Sequence, residues 1–156
     1  MNSCDQDRAG QQESLDSVYQ DFISGQLDPT TFSHVAHVYS AWRLLFDRGI
    51  EDAREEFRRL LRTYTLEWGV KDKFHYTITD AMILLIASHA TGTATHDWPA
   101  FCSQAGPLFN SAESVLGRFY SDELLWSQQA RQGPVQSDRA DINLISHGAS
   151  AEARVW

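Results

Sequence analysis

The chain has 156 residues, 42% of them apolar and 22% charged, and a formal net charge of −8. A single domain of this length buries about 70% of its unfolded surface and needs no disulfide staples. Its acidity repels a polyphosphate backbone, which argues against nucleic acid and anionic membranes as partners.

Residues 1–13 carry charges and no apolar run, so they read as a disordered tail and not as a signal peptide. Cys4 lies in that tail and Cys102 in the body, with no C-x-x-C pair. This fits a reducing, cytoplasmic setting. The longest apolar run, Ala81 to Ala87, is too short to span a bilayer.

From Ser14 the spacing of Leu15, Val18, Phe22 and Ile23 predicts a helix that Gly25 ends. Asp28-Pro29 reads as a turn, or as a cap followed by a first helical position. Ser33 is a candidate N-cap for a second helix reaching about Arg48, with Val35, Val38, Trp42, Leu45 and Phe46 inward. Within it His34, His37, Ala41 and Leu44 form one row, so both imidazoles point the same way. A third helix runs from Ile50 to about Trp68, with Glu55 and Arg59 as a favourable i, i+4 pair, and Gly69 ends it.

The fourth helix begins near His75 and is apolar almost all round through Ile78, Met82, Ile83, Leu84, Leu85 and Ile86, which marks it as central. Asp97 caps a fifth helix, broken at Gly106-Pro107. Leu108 to Tyr120 carries a further apolar pattern, and Ser121 caps a last helix ending by Arg131. No strand signal occurs. The expectation is an all-α, single-domain bundle of about five to six helices over residues 14–131. Residues 132–156 then form an extended or disordered C-terminal tail, or one that wraps the body.

Three histidines stand at the starts of core-facing helices. His34 and His37 lie three residues apart, and His75 opens another helix. If they meet, they form a three-imidazole face with an open position, suited to zinc, iron, copper or nickel. In that case the rings approach within about 3–5 Å of one another. Without a metal, a buried imidazole of shifted pKa serves as general acid or base. The structural alternative is that these are interior rings bonded to backbone carbonyls or hydroxyls at helix N-termini.

Tyr76 is a candidate proton donor or ligand beside His75. Thr79 and Asp80 are candidate supports for an imidazole. Trp42, one turn beyond His37, and Tyr39 are the candidate pocket-lining aromatics. Trp42, Trp68, Trp98 and Trp126 read as core or edge packing, with the wall of an apolar pocket as the alternative, and Cys102 reads as inert. His89, His96 and His147 read as surface or loop residues. No Gly-rich phosphate loop, Gly-x-Ser-x-Gly elbow or zinc-finger spacing is present.

The chain resembles a family of small, functionally undefined bacterial proteins marked by three blocks. The first, F-x-H-x-x-H-x-x-x-A-W, is met by Phe32, His34, His37, Ala41 and Trp42. The second, K-[FY]-H-E-T-x-T, is met by Lys73, Phe74, His75, Thr77 and Thr79, with Tyr76 in place of the glutamate. The third, [FY]-Y-S-x-E-x-L-x-S-x-x-A-R, is met by Phe119, Tyr120, Ser121, Glu123, Leu125, Ser127, Ala130 and Arg131. The family's proline-rich ending is absent after Arg131. The resemblance implies an all-helical fold and a shared histidine-centred site. The residues and the resemblance together lead to the expectation of a small cytoplasmic enzyme acting on a small organic molecule, by metal ligation or acid/base chemistry. The alternative is a non-catalytic small-molecule-binding or homodimerisation module using the same pocket.

Overall fold

The computed structural model describes residues 12–90 and 97–140. Among them are eight α-helices and no strand. In chain order these are α1 (Gln12–Ser24), α2 (His34–Arg48), α3 (Ile50–Glu67), α4 (Tyr76–Ala90), α5 (Trp98–Gln104), α6 (Ala112–Leu116), α7 (Asp122–Leu125) and α8 (Gln128–Gln132). The architecture is an all-α bundle of five longer helices, with three short ones closing one side.

Local chemistry sets most of the boundaries. The Ser33 hydroxyl accepts from the Ala36 amide at the head of α2, and Asp97 does the same for Ala100 at the head of α5. Asp28 caps a single 3-10 turn, Pro29–Thr31. Gly49 both ends α2 and starts α3 at φ 80°, ψ 166°, a backbone region open in practice only to glycine.

In the second half Gly106–Phe109 forms a 3-10 turn and Ala112–Leu116 is α-helical. One sequence expectation there is corrected. The helix expected from Ser121 to Arg131 is two, because the Ser127 side chain caps Ala130 and starts a new one.

α4 is central as its composition implies. It packs against α2, α3, α5, α6 and α8, and its residues from Ala81 to Ala87 are all buried. Beside it lies an aromatic core. Trp98 meets Tyr39 at 4.8 Å and Trp42 at 5.1 Å between ring centroids, and stacks near Phe101. Each such pair adds about 0.5–1.5 kcal/mol beyond its area burial.

The outer face of α3 differs from expectation in one pairing. Arg59 makes a two-pronged bond to Glu56 at 2.7 and 2.9 Å, not to Glu55. The i, i+3 geometry lets the guanidinium meet both carboxylate oxygens at once. Asp80 on α4 is held by Arg54 through both oxygens and by Arg58 at 2.7 Å, which locks α3 to α4.

Residues 133–140 pack back onto the body and are no free tail. The Thr77 hydroxyl donates to the Gly133 carbonyl at 2.9 Å. The Asp138 carboxylate accepts from the amide and the hydroxyl of Ser121. The Arg139 amide donates to the Phe119 carbonyl. Gln12 and Glu13, assigned by sequence to the N-terminal tail, open α1. The remainder of both expected tails, and His96 and His147, lie outside the described residues.

Candidate functional site: a histidine-walled cavity

A cavity of about 570 Å³ lies between α2, α3 and α4, closed at one end by the α7–α8 segment. Its interior is apolar, built from Val38, Ala41, Phe57, Leu61, Met82 and Ile86, all buried. Its rim is polar, with the exposed residues Asp72, Lys73 and Arg131. His34, His37, His75 and Thr79 all border it. The volume is in the range of pockets that enclose a drug-sized molecule.

The three histidines reach this wall by different means. Ser33 fixes the first turn of α2, so His34 and His37 face the cavity together, three residues apart on one helix face. The His34 Nε2–H donates to the Leu108 carbonyl at 2.8 Å. A carbonyl only accepts, so the hydrogen sits on Nε2. His75 stands just ahead of α4. Its Nε2–H donates to the Leu125 carbonyl at 2.7 Å, and its Nδ1 accepts from the Ile78 amide at 3.2 Å. His75 thus acts as the N-cap of α4 and ties that helix to α7. Burial lowers its pKa, and the Arg131 charge adds to the effect.

His37 is the exception. Its ring stacks on Phe32 at 3.9 Å between centroids and 29° between planes. Phe32 is itself wedged between Phe22 and Tyr64, so the imidazole rests on a fixed platform. Neither His37 nitrogen has a hydrogen-bond partner among the described residues. The ring keeps some accessible surface because it borders the cavity, but protein surrounds it on nearly every side. That burial, with the nearby His34 ring, lowers its pKa from 6.5 to about 4, so it is a neutral imidazole near neutral pH. The Thr79 hydroxyl, on the buried wall of α4, likewise has no bond to another described residue.

This geometry bears on each residue singled out by sequence. As placed, the histidines do not make a three-imidazole metal face. Both nitrogens of His75 are committed to backbone groups, as is Nε2 of His34. No cluster of three or more His, Cys, Asp or Glu side chains able to hold a metal ion occurs among the described residues. His34 and His75 match the structural alternative, interior rings bonded to carbonyls.

Trp42 and Tyr39 do not line the cavity. Both are turned into the aromatic core, at 1% and 0% exposure. The Tyr39 hydroxyl bonds to Asp16 of α1, and the Trp42 indole nitrogen is buried without a partner. They sit on a different flank of α2 from His34 and His37, since Tyr39 is two and Trp42 five positions beyond His37, about 200° and 140° round the helix. Tyr76 is also off the cavity. Arg58 and Arg62 lie over its ring at 4.9 and 5.8 Å, a position on the α3–α4 seam. Asp80 serves Arg54 and Arg58 and supports no imidazole.

The sequence reading gave Trp126 as packing or as part of a pocket wall, and it missed Arg131 and Lys73 at the rim. Trp126 places its ring edge-on to His75 at 5.7 Å, and Arg131 lies over the same indole at 5.7 Å. The signal was available in the third sequence block, where Trp126 and Arg131 fall five residues apart. Reading that block as one helix hid it, since the break at Ser127 is what brings both to the rim.

Comparison of the chain with family models, with curated proteins and with solved structures finds no match.

Proposed function

We propose that this chain binds a small, mainly apolar organic molecule in the cavity, with His37 and Thr79 as its polar contacts. One observation carries the reading. In a wall where the other two imidazoles are bonded to backbone carbonyls, His37 borders a largely apolar space of about 570 Å³ with neither ring nitrogen bonded to another described residue. A ligand group that hydrogen-bonds a half-buried imidazole contributes about 0.5–1.5 kcal/mol net. Apolar walls with a few oriented polar groups are the usual composition of a small-molecule site.

Recognition fits this geometry better than proton transfer does. A general base works best with a pKa near the working pH, and His37 at about 4 is a weak base there. Catalysis on the bound molecule is the second reading. It rests on the Nδ1 of His34, which has no partner among the described residues and lies on the same helix face as His37.

The test is titration with the uncharged fluorophore N-phenylnaphthylamine, whose emission rises in apolar surroundings. Saturable one-site binding is expected. It is lost in Ile78→Trp, which fills the cavity from its half-buried wall, and is weakened about tenfold or less in His37→Leu. Binding that persists unchanged in Ile78→Trp, with that variant folded by circular dichroism, overturns the reading.

A further inference from the structure

We infer that the cavity's ligand is an amphiphilic organic anion, an apolar body ending in a carboxylate held between Lys73 and Arg131. This rests on the small-molecule reading above and specifies its ligand class.

The charge pattern points to it. In a chain of net charge −8, five arginines away from the cavity are matched to carboxylates. Arg43 pairs with Asp16, Arg48 and Arg59 with Glu56, and Arg54 and Arg58 with Asp80. Arg118 and Arg139, also away from the cavity, make no ion pair among the described residues; Arg118 lies over the Phe119 ring and Arg139 donates to the Gly117 carbonyl. Neither Lys73 nor Arg131 makes an ion pair among the described residues, although both border the cavity. Arg131 is nevertheless held in place. Its Nη1 donates to the Asp72 backbone carbonyl at 3.1 Å, and its guanidinium lies over the Trp126 ring. Arg62 brings a further positive charge to this side, 5.0 Å from the centre of the Phe74 ring that lines the cavity. Asp72 is the only carboxylate among the cavity-lining residues, so the rim keeps a positive excess.

The interior dictates the rest of the ligand. Below the rim the wall is apolar apart from the imidazoles and the Tyr64, Thr65 and Thr79 hydroxyls. A carboxylate carried down to the neutral His37 would lose its water without gaining a cation, which is costly. The charge therefore stays at the mouth, where guanidinium and ammonium meet it. The mainly apolar body goes inward, where Met82 and Ile86 receive it and one uncharged polar group on it meets His37 and Thr79. A cationic ligand meets one carboxylate, Asp72, against the two cations Lys73 and Arg131.

The experiment is displacement of bound N-phenylnaphthylamine by decanoate and, separately, by decanamide, which keeps the chain and removes the charge. Decanoate is expected to bind about five- to tenfold more tightly at low salt, the scale set by two rim ion pairs. That ratio falls toward one in high salt, and in the double variant Lys73→Gln/Arg131→Gln. Equal displacement by the two compounds overturns the anion assignment while leaving the pocket reading standing. So does a preference for decanoate that survives both salt and the double variant. Absence of fluorophore binding overturns the pocket reading itself, and this inference with it.

Discussion

Replacing His37 with glutamine should flatten the dependence of stability on acidity. The folded protein holds this imidazole at a pKa of about 4, against 6.5 for an unhindered ring. Between those values the unfolded chain takes up a proton at His37 that the folded chain refuses. Stability from this group is therefore fully present above the unfolded value and is lost as pH falls toward the folded one. Between about pH 7 and pH 5 the loss is at most about 2 kcal/mol, from the proton-linkage relation. Burial of the ring on the Phe32 platform causes it, and His34 adds a smaller contribution of the same sign. His75 and His89 also have lowered pKa values. They add a slope in the same direction to both proteins, and that slope cancels in the difference. Urea denaturation of the native protein and of His37→Gln at the two pH values gives the comparison. The native protein should lose about 2 kcal/mol more than the variant. Equal losses in the two proteins would refute the burial of a neutral ring at this position.

Three further outcomes follow from the packing. Trp98→Ala empties the centre of the aromatic core, where the indole is fully buried against Tyr39, Trp42 and Phe101. It should cost about 3–5 kcal/mol, read by chemical denaturation. Asp80→Asn leaves Arg54 and Arg58 facing each other without their shared carboxylate. Because all three side chains keep some water contact, the loss should be about 2 kcal/mol, below that of a fully buried pair. A smaller drop in Tm than in Trp98→Ala checks it. Gly49→Ala forces a Cβ into the φ 80°, ψ 166° conformation that joins α2 to α3. A cost of about 1–3 kcal/mol is expected, although nothing crowds the site sterically. Gly106→Ala, also uncrowded and without positive φ, is the control that should change little.

The sequence by itself determined where the longer helices lie and which of them is central. Ser33, Asp97 and Ser121 cap within three residues of themselves, and Gly25 and Gly69 end helices through their own backbone freedom. The all-round apolar pattern of α4 leaves it nowhere to go but the middle. These signals act over a turn or two of chain, so they can be read locally. The same periodicity placed His34 and His37 on one face, and that is where they are.

Only the tertiary structure decided which histidine is free. The partner of His34 lies 74 residues away at Leu108, and that of His75 lies 50 residues away at Leu125. A backbone carbonyl carries no side-chain signature, so no spacing rule announces it. Trp42 and Tyr39 went to the core because Trp98 and Phe101 of α5 pack there, a choice made by a helix 59 residues further along the chain. The break at Ser127 swings Trp126 and Arg131 to the cavity rim. Helical period is a property of the backbone, whereas hydrogen-bond partners and cavity walls belong to the packing of distant elements. That is why the helices could be read from the residues, while the site, a cavity wall with one unpartnered imidazole, needed the fold.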